Sequence, residues 1–505
     1  MQRSRPFIIS LILGVIAAAS AAGWAIGGFA DLEESSGNAL AAWSSTQWRQ
    51  TSQADFQAGI LDSVDASTTP GDVVLSAGGD AGGANMILFW DGDTPPPGWT
   101  VISDDPGEDF YQTFPRGAAA YGGRGGSETH THAVSSVLES SPLEVTQVRS
   151  FTTVAVASAN HTHSVASASL SAASNLPSYR SLKVIRYNKG VPAVVPKGAI
   201  GIFEGELPPG WERYAVQDGC FVRGDAAAGA IGGSNTHTHS ASILLDNCVG
   251  EVEVRAGNQA VVASSSHTHL ASGTTSSADN RPPFLTVVLG QAETDVLIPF
   301  GLIAMFDATP SGNWQVVSGQ GEDFYGRFIV GGASYGSTGG SIKHSHSKLA
   351  LTTGSPSSTV GARTQNANTT VPSSTHSHIV VLSFEAAEHA PPYVDVIFAK
   401  ALYSETGSVA SAVLDTSTIG SRWDAVFWDA DLSGGTNITF EARASDNWFT
   451  KSDANPAWVD VGDVSPVLSS LPPGRYKQWR ATLRAGGGRS TTPILHEVRV
   501  YYYRE

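Results

Sequence analysis

Apolar and polar positions alternate along most of this chain, and helical spacing is almost absent after residue 60. Ser181-Leu182-Lys183-Val184-Ile185-Arg186-Tyr187 alternates, as do Thr439-Phe440-Glu441-Ala442-Arg443-Ala444 and the stretches 475–483 and 494–501. A period of two turns one side of an extended segment toward a core, so each reads as a β-strand. A longer repeat lies over this pattern. Three times an apolar strand ends near a Phe (Phe89, Phe203, Phe306) and leads through a turn to a Trp (Trp99, Trp211, Trp314). Each unit then passes Phe114, Phe221 or Phe328, spaced by 107 residues, and closes on a proline turn and another β-type strand (Pro177; Pro282-Pro283; Pro391-Pro392). So long a period predicts three tandem domains, at 84–190, 197–293 and 298–402, rather than a solenoid of small units.

The flanks differ from the repeats. After Arg3 and Arg5, residues 6–30 carry no charge until Asp31. That run is long enough to span a bilayer, with the arginines on the cytoplasmic side. A cleaved secretory signal with small residues near Ala19-Ser20-Ala21 is the alternative. Either places the protein on the extracellular side of the cell envelope, membrane-anchored through residues 1–30 or secreted. Residues 31–83 read as a polar spacer ending in a short strand, and 403–505 as a separate C-terminal β-sandwich. The expected fold class is therefore mainly β, with an N-terminal transmembrane or signal helix.

Composition narrows the function. The net charge of −16 lacks the basic footprint of a nucleic-acid binder. Cys220 and Cys248 both lie in the second repeat, as a local disulfide or two free thiols; the other repeats lack them, so the fold does not need them. No Gly-x-Ser-x-Gly elbow or phosphate loop is placed between a strand and a helix, where it would suggest an enzyme. Glu108-Asp109 and Glu322-Asp323 have no counterpart in the second repeat, which favours turn or surface roles over a carboxylate dyad. The three Gly/Asn-Trp tryptophans read as core plugs rather than sugar platforms. Asn160, Asn368 and Asn437 begin glycosylation sequons, and a glycan at Asn160 would crowd His161.

The histidines carry the chemistry. Twelve of the fourteen form six His-x-His tripeptides: His130/His132, His161/His163, His237/His239, His267/His269, His344/His346 and His376/His378. In extended chain, residues i and i+2 share a face, so each tripeptide is a two-imidazole claw. Two histidines hold a metal weakly. Three claws on a threefold axis supply six nitrogens, a set acceptable to Fe(II), Ni(II) or Zn(II). With every position taken by protein, such a site is structural, because no vertex is open to substrate. His389 and His496 stand alone and read as packing or surface residues. A metallohydrolase remains the enzymatic alternative and requires an open vertex.

Two resemblances add to this. The opening strands with "PPPGW" and "LPPGW", the segments "FPRGA" and "FVRGD", the motifs "GGSETHTH", "GGSNTHTH" and "GGSIKHSH", and the closing "NRPPFLTVVL" and "HAPPYVDVIF" resemble phage tail-fibre and tail-collar domains, including the microcystin-dependent-protein group. The likeness spans roughly residues 84–402. It departs from the pattern at Leu176-Pro177-Ser178 and at Val330, which stands where the other repeats have Arg116 and Arg223. The resemblance implies three intertwined units with extended arms and axial metal ions, with the twelve paired histidines as ligands. Because one chain holds three copies, it also implies a pseudo-trimeric monomer with two six-histidine sites. A homotrimeric fibre and a four-histidine site within each repeat are the rivals. Separately, "PPGRYKQWRATL" and "TPILHEVRVYYY" resemble jelly-roll modules of prokaryotic surface proteins, in which a strip like "DFQAGILDSV" precedes the sandwich. This implies that the repeats are inserted into a base made by both ends. The combined expectation is an adhesin-like structural surface protein; a glycan- or receptor-binding module and a virion tail fibre are the alternatives.

Overall fold

The computed structural model describes residues 45–66, 71–139, 145–148, 154–247, 249–254, 256–263, 267–362, 369–372, 376–461 and 471–504. The fold is mainly β. Among the described residues the helices are one turn at Gln53–Gln57 and a 3-10 turn at Ala215–Gln217. None of these is long and apolar enough to cross a membrane. The expected anchor or signal at 1–30 lies outside the described residues.

The three opening strands, Met86–Trp90, Ala199–Phe203 and Ile303–Phe306, are buried at every position. They pair with one another around a common axis, through Ala199↔Trp90, Ile202↔Ile303 and Met305↔Ile87. Each also pairs antiparallel with the closing strand of its own repeat, Tyr179–Tyr187, Phe284–Ala292 or Tyr393–Ala401. Apolar side chains on both faces make this a buried sheet rather than a one-sided one.

The next strand of every repeat is handed to a neighbour. Phe114–Gly117 runs parallel to the closing strand of repeat three, Phe221–Gly224 to that of repeat one, and Phe328–Gly331 to that of repeat two. The cycle closes within one chain. It brings Phe114, Phe221 and Phe328 into one buried cluster, joined in the third repeat by Val330. Arg116, at the position of Val330, instead forks onto Asp395 (2.7 and 3.0 Å) over the Tyr393 ring.

The handoff explains two motifs at once. Gly126, Gly233 and Gly340 end the Gly-Gly pairs with φ of +77°, +70° and +72°. A Cβ on them would lie 2.0, 2.0 and 2.1 Å from the carbonyl oxygens of Pro391, Pro177 and Pro282. Each closing proline therefore packs on the glycine turn of the following repeat, and only glycine fits there.

Beyond the first claw each repeat runs out as an arm and returns. Val134–Glu139 pairs with Ile379–Phe384, which also pairs with Leu349–Thr352. Ser240–Leu245 lies between Val165–Leu170 and His269–Thr274. Alternate residues face inward, giving a dry cluster of Ala241, Ile243, Leu245, Ala271, Leu351, Val380 and Leu382. Beyond the second claw the pairings again join neighbouring repeats: Val145–Val148 with Thr369–Pro372, Val154–Thr162 with Val249–Val254, and Ala256–Ala263 with Thr359–Ala362.

The region read as a spacer makes part of the base. Residues 45–75 supply four strands to the two sheets otherwise built from 403–504. Ser45–Gln50 pairs along Ile494–Tyr503 from Ser45↔Tyr503 to Gln50↔Val498. Phe56 is fully buried in the shared core, edge-on to Trp479, whose indole N–H donates to Gln50 Oε1 at 2.6 Å. The spacer reading rested on polar composition; an edge strand with one buried side is half polar by construction. The chain leaves and re-enters the base side by side, with Ser404 N donating to Ser76 O at 2.8 Å and Gly78 N to Leu402 O at 3.1 Å.

Candidate metal centre

Each first claw sits on a two-residue strand that pairs with the stretch before the closing prolines. The registers are His130↔Ala173, His237↔Ala278 and His344↔Ala387. Pairing holds the segment extended, which turns both imidazoles of a claw to the axis. The first claws meet there as His130, His132, His237, His239, His344 and His346. The second claws, His161, His163, His267, His269, His376 and His378, meet further along the arms. In each group the nitrogens of five histidines lie within 4.8 Å of one another. His346 and His378 complete the sets through ring contacts. The two claws of any one repeat thus belong to different centres, and the geometry in which they share a four-histidine site is not the one adopted.

The arrangement is octahedral. In the first centre each ring packs against four others, with centroids 4.5–5.2 Å apart, and misses only the one opposite it. The opposite pairs are His130/His346, His132/His237 and His239/His344. In the second centre the spacing is 4.8–5.3 Å and the opposite pairs are His161/His269, His163/His376 and His267/His378. The Nε2 atoms of His130, His132 and His344 form a triangle with sides of 3.1, 3.2 and 3.2 Å. As one face of an octahedron, that triangle puts the centre about 2.2 Å from each nitrogen, close to metal–imidazole bond lengths.

The outer ring nitrogens are held by a repeated contact. His132 Nδ1 meets the Glu385 carbonyl at 2.7 Å, His239 the Ser171 carbonyl at 2.7 Å and His346 the Ser276 carbonyl at 2.6 Å. In the second centre His163 meets the Asp246 carbonyl at 2.6 Å and His269 the Gly354 carbonyl at 2.8 Å. A carbonyl can only accept, so these Nδ1 atoms carry the proton and each Nε2 turns a lone pair to the centre.

Such a set is costly without a cation. The Nε2 atoms of His163, His237, His239, His346 and His378 are buried with no hydrogen-bond partner, and orphaned buried polar atoms cost about 1–3 kcal/mol each. Burial, then repulsion between neighbouring imidazoles, pushes His237 down to about 3, His344 to about 2 and His378 to about 3. Burial also takes His130 and His269 down to about 4, against the hydrogen bonds of Asn175 and Gly354. His163, His239 and His346 are lowered too, burial again leading. These eight rings are thus neutral near pH 7, the form that binds metal. These clusters could hold metal ions, and six protein ligands would leave no vertex for a reactant.

The remaining candidates have other roles. His389 is no isolated packing residue: it is buried, with Nδ1 2.9 Å from Nδ1 of His344. Its signal in the sequence was its position, since Asn175 and Asn280 stand at the same place before the prolines. His496 bridges Asp72 and Asp431 at 2.7 and 3.2 Å. Trp99, Trp211 and Trp314 are buried against Tyr187, Phe203 and Phe306. Asp109 and Asp323 bind Tyr121 and Tyr335, and Glu108 accepts from two turn amides. Cys220 is a free thiol, and Cys248 lies outside the described residues, as does Asn368. Comparisons with family models, curated proteins and solved structures returned no match.

Proposed function

We propose that this chain is an exported, structural surface protein. In this reading a threefold, tail-fibre-like head is stapled by two axial metal ions and carried on a β-sandwich base, tethered to the membrane through residues 1–30. The observation that carries it is the pair of octahedral six-histidine sets, each drawing one claw from every repeat. Six-coordination favours Fe(II) or Ni(II) over Zn(II), which is almost always four-coordinate in structural sites. Coordination bonds contribute folding free energy directly, because the unfolded chain has no site. That suits arms whose own apolar core is small. The closed centre supports a structural rather than enzymatic role, and the cyclic strand exchange within one chain supports a pseudo-trimeric monomer. Elemental analysis combined with absolute mass in solution tests this. A monomer with about two transition-metal ions is expected; an obligate trimer, or a protein that takes up no metal, refutes it.

A second reading, glycan or receptor recognition by the base, has one observation in its favour. Trp448 is 62% exposed and edge-on to Tyr476 at 5.1 Å. Its loop is anchored by buried Arg443, which donates to the carbonyls of Thr450, Lys451 and Pro456. A glycan array comparing the whole chain with W448A tests it; equal or absent signals on both refute it.

A further inference from the structure

The first centre has a supporting ring that breaks threefold identity at one position. Asn175, Asn280 and His389 occupy the same place in the three repeats, two residues before the first closing proline. All three are about 1% exposed. Their backbone amides are held alike, donating to the carbonyls of Glu128, Asn235 and Ile342 at 2.7, 2.8 and 3.1 Å. Asn175 Oδ1 lies 2.5 Å from His130 Nδ1. In the second repeat Asn280 Oδ1 and His237 Nδ1 are both buried, and each is left without a hydrogen-bond partner. In the third, His389 Nδ1 lies 2.9 Å from His344 Nδ1.

Amide and imidazole are equivalent here. Asn280 presents an acceptor, Oδ1, beside a donor, Nδ2, and Nδ2 reaches the Leu176 carbonyl of the preceding repeat at 3.1 Å. Arg281 is the counterpart of Leu176 in the second repeat, and its backbone lies beside the His389 ring. His389 Nε2, however, is buried without a hydrogen-bond partner, so only the Nδ1 side of the equivalence is made in the structure. A neutral imidazole protonated on Nε2 has the same polarity: Nδ1 accepts and Nε2–H donates. A histidine that binds metal through Nε2 must carry its proton on Nδ1, so the neighbouring atom has to be an acceptor. Without it, the inner claw histidine can turn over and withdraw its lone pair.

We propose that Asn175, Asn280 and His389 are positioning residues of the first metal centre, and that His389 is an Asn surrogate which accepts from His344 rather than a seventh ligand. This rests on the metal reading of the six-histidine sets. The acceptor holds Nδ1–H of His130, His237 and His344 in place, as carbonyls do for His132, His239 and His346.

The test uses full-length protein loaded with Ni(II), with ion release to excess chelator followed in wild type, H389L and H389N. Loss of such a supporting partner typically costs 10–100-fold in metal affinity. H389L should therefore release one of two ions about 10–100-fold faster, while the other leaves at the wild-type rate. H389N, which restores the residue of the other repeats, should return the fast ion to the slow class. The hyperfine-shifted, slowly exchanging Nδ1–H proton of His344 should persist in wild type and H389N and vanish in H389L. Unchanged release in H389L, acceleration of both ions alike, or failure of H389N to rescue overturns the proposal. A wild-type protein that binds no Ni(II) overturns the metal reading itself, and this proposal with it.

Discussion

His239→Leu separates a metal ligand from an ordinary core residue. His239 is fully buried, its Nδ1 donates to Ser171 O at 2.7 Å, and its Nε2 faces the centre with no hydrogen-bond partner. Structural metal sites bind with about 10–16 kcal/mol, so one of six ligands accounts for roughly 2–3 kcal/mol. The orphaned Ser171 carbonyl adds about 1 kcal/mol. Leucine fills most of the ring volume, so H239L should destabilise the metal-loaded protein by about 3 kcal/mol. In chelated protein the sign should fall to zero or reverse, because the substitution then removes a buried partnerless nitrogen. The assay is urea denaturation of wild type and H239L, each loaded and verified metal-free. Pairing the substitution with others maps the octahedron. If the two are opposite ligands of one ion, H239L with H344L should be strongly sub-additive, whereas H239L with H269L should add across the two centres. An equal loss with and without metal would refute coordination as the role of these side chains.

Four further outcomes follow from the same structure. Metal-free protein should lose stability as pH falls below about 6.5. The claw imidazoles have folded values depressed to about 4 for His130 and His269 and about 3 for His237 and His378, so the unfolded chain binds the extra protons. Their contribution is complete above the unfolded value and is lost progressively down to about pH 3, and denaturation in chelator from pH 8 to about 3 would read it; a flat profile would contradict it. Phe221→Ala empties part of the Phe114/Phe221/Phe328 cluster and should cost about 3–5 kcal/mol, measured by urea midpoint. Gly233→Ala, whose Cβ would meet the Pro177 carbonyl, should destabilise far more than Gly219→Ala, which has equally positive φ but open space; thermal melts of the two compare them. A fragment of residues 403–505 should fail to fold by near-UV circular dichroism, while 45–77 joined to it by a flexible linker should fold, because Phe56, Val73 and Leu75 fill its core.

Much of the site was legible before the fold. A period of two puts both imidazoles of every claw on one face, and triple recurrence implies three equivalent units. The Gly-Gly and proline motifs were visible too, but not that they meet each other, because the contact joins Gly126 to Pro391 across most of the array. His389 reads as a packing or surface residue in the sequence because the tripeptide pattern draws attention away from a lone histidine; aligning it with Asn175 and Asn280 is the available clue.

Local chemistry therefore determined strand, claw and repeat, all of which depend on neighbours a few residues apart. Which claws share a centre, which repeat receives each strand, and that residues 45–75 complete a base with residues near 500 were decided only in three dimensions. Equal spacing is compatible with pairing inside a repeat or between one repeat and another. Side-chain packing, the glycine–proline contacts and the mutual fit of six imidazoles choose among them, and none of these terms is a property of a local segment.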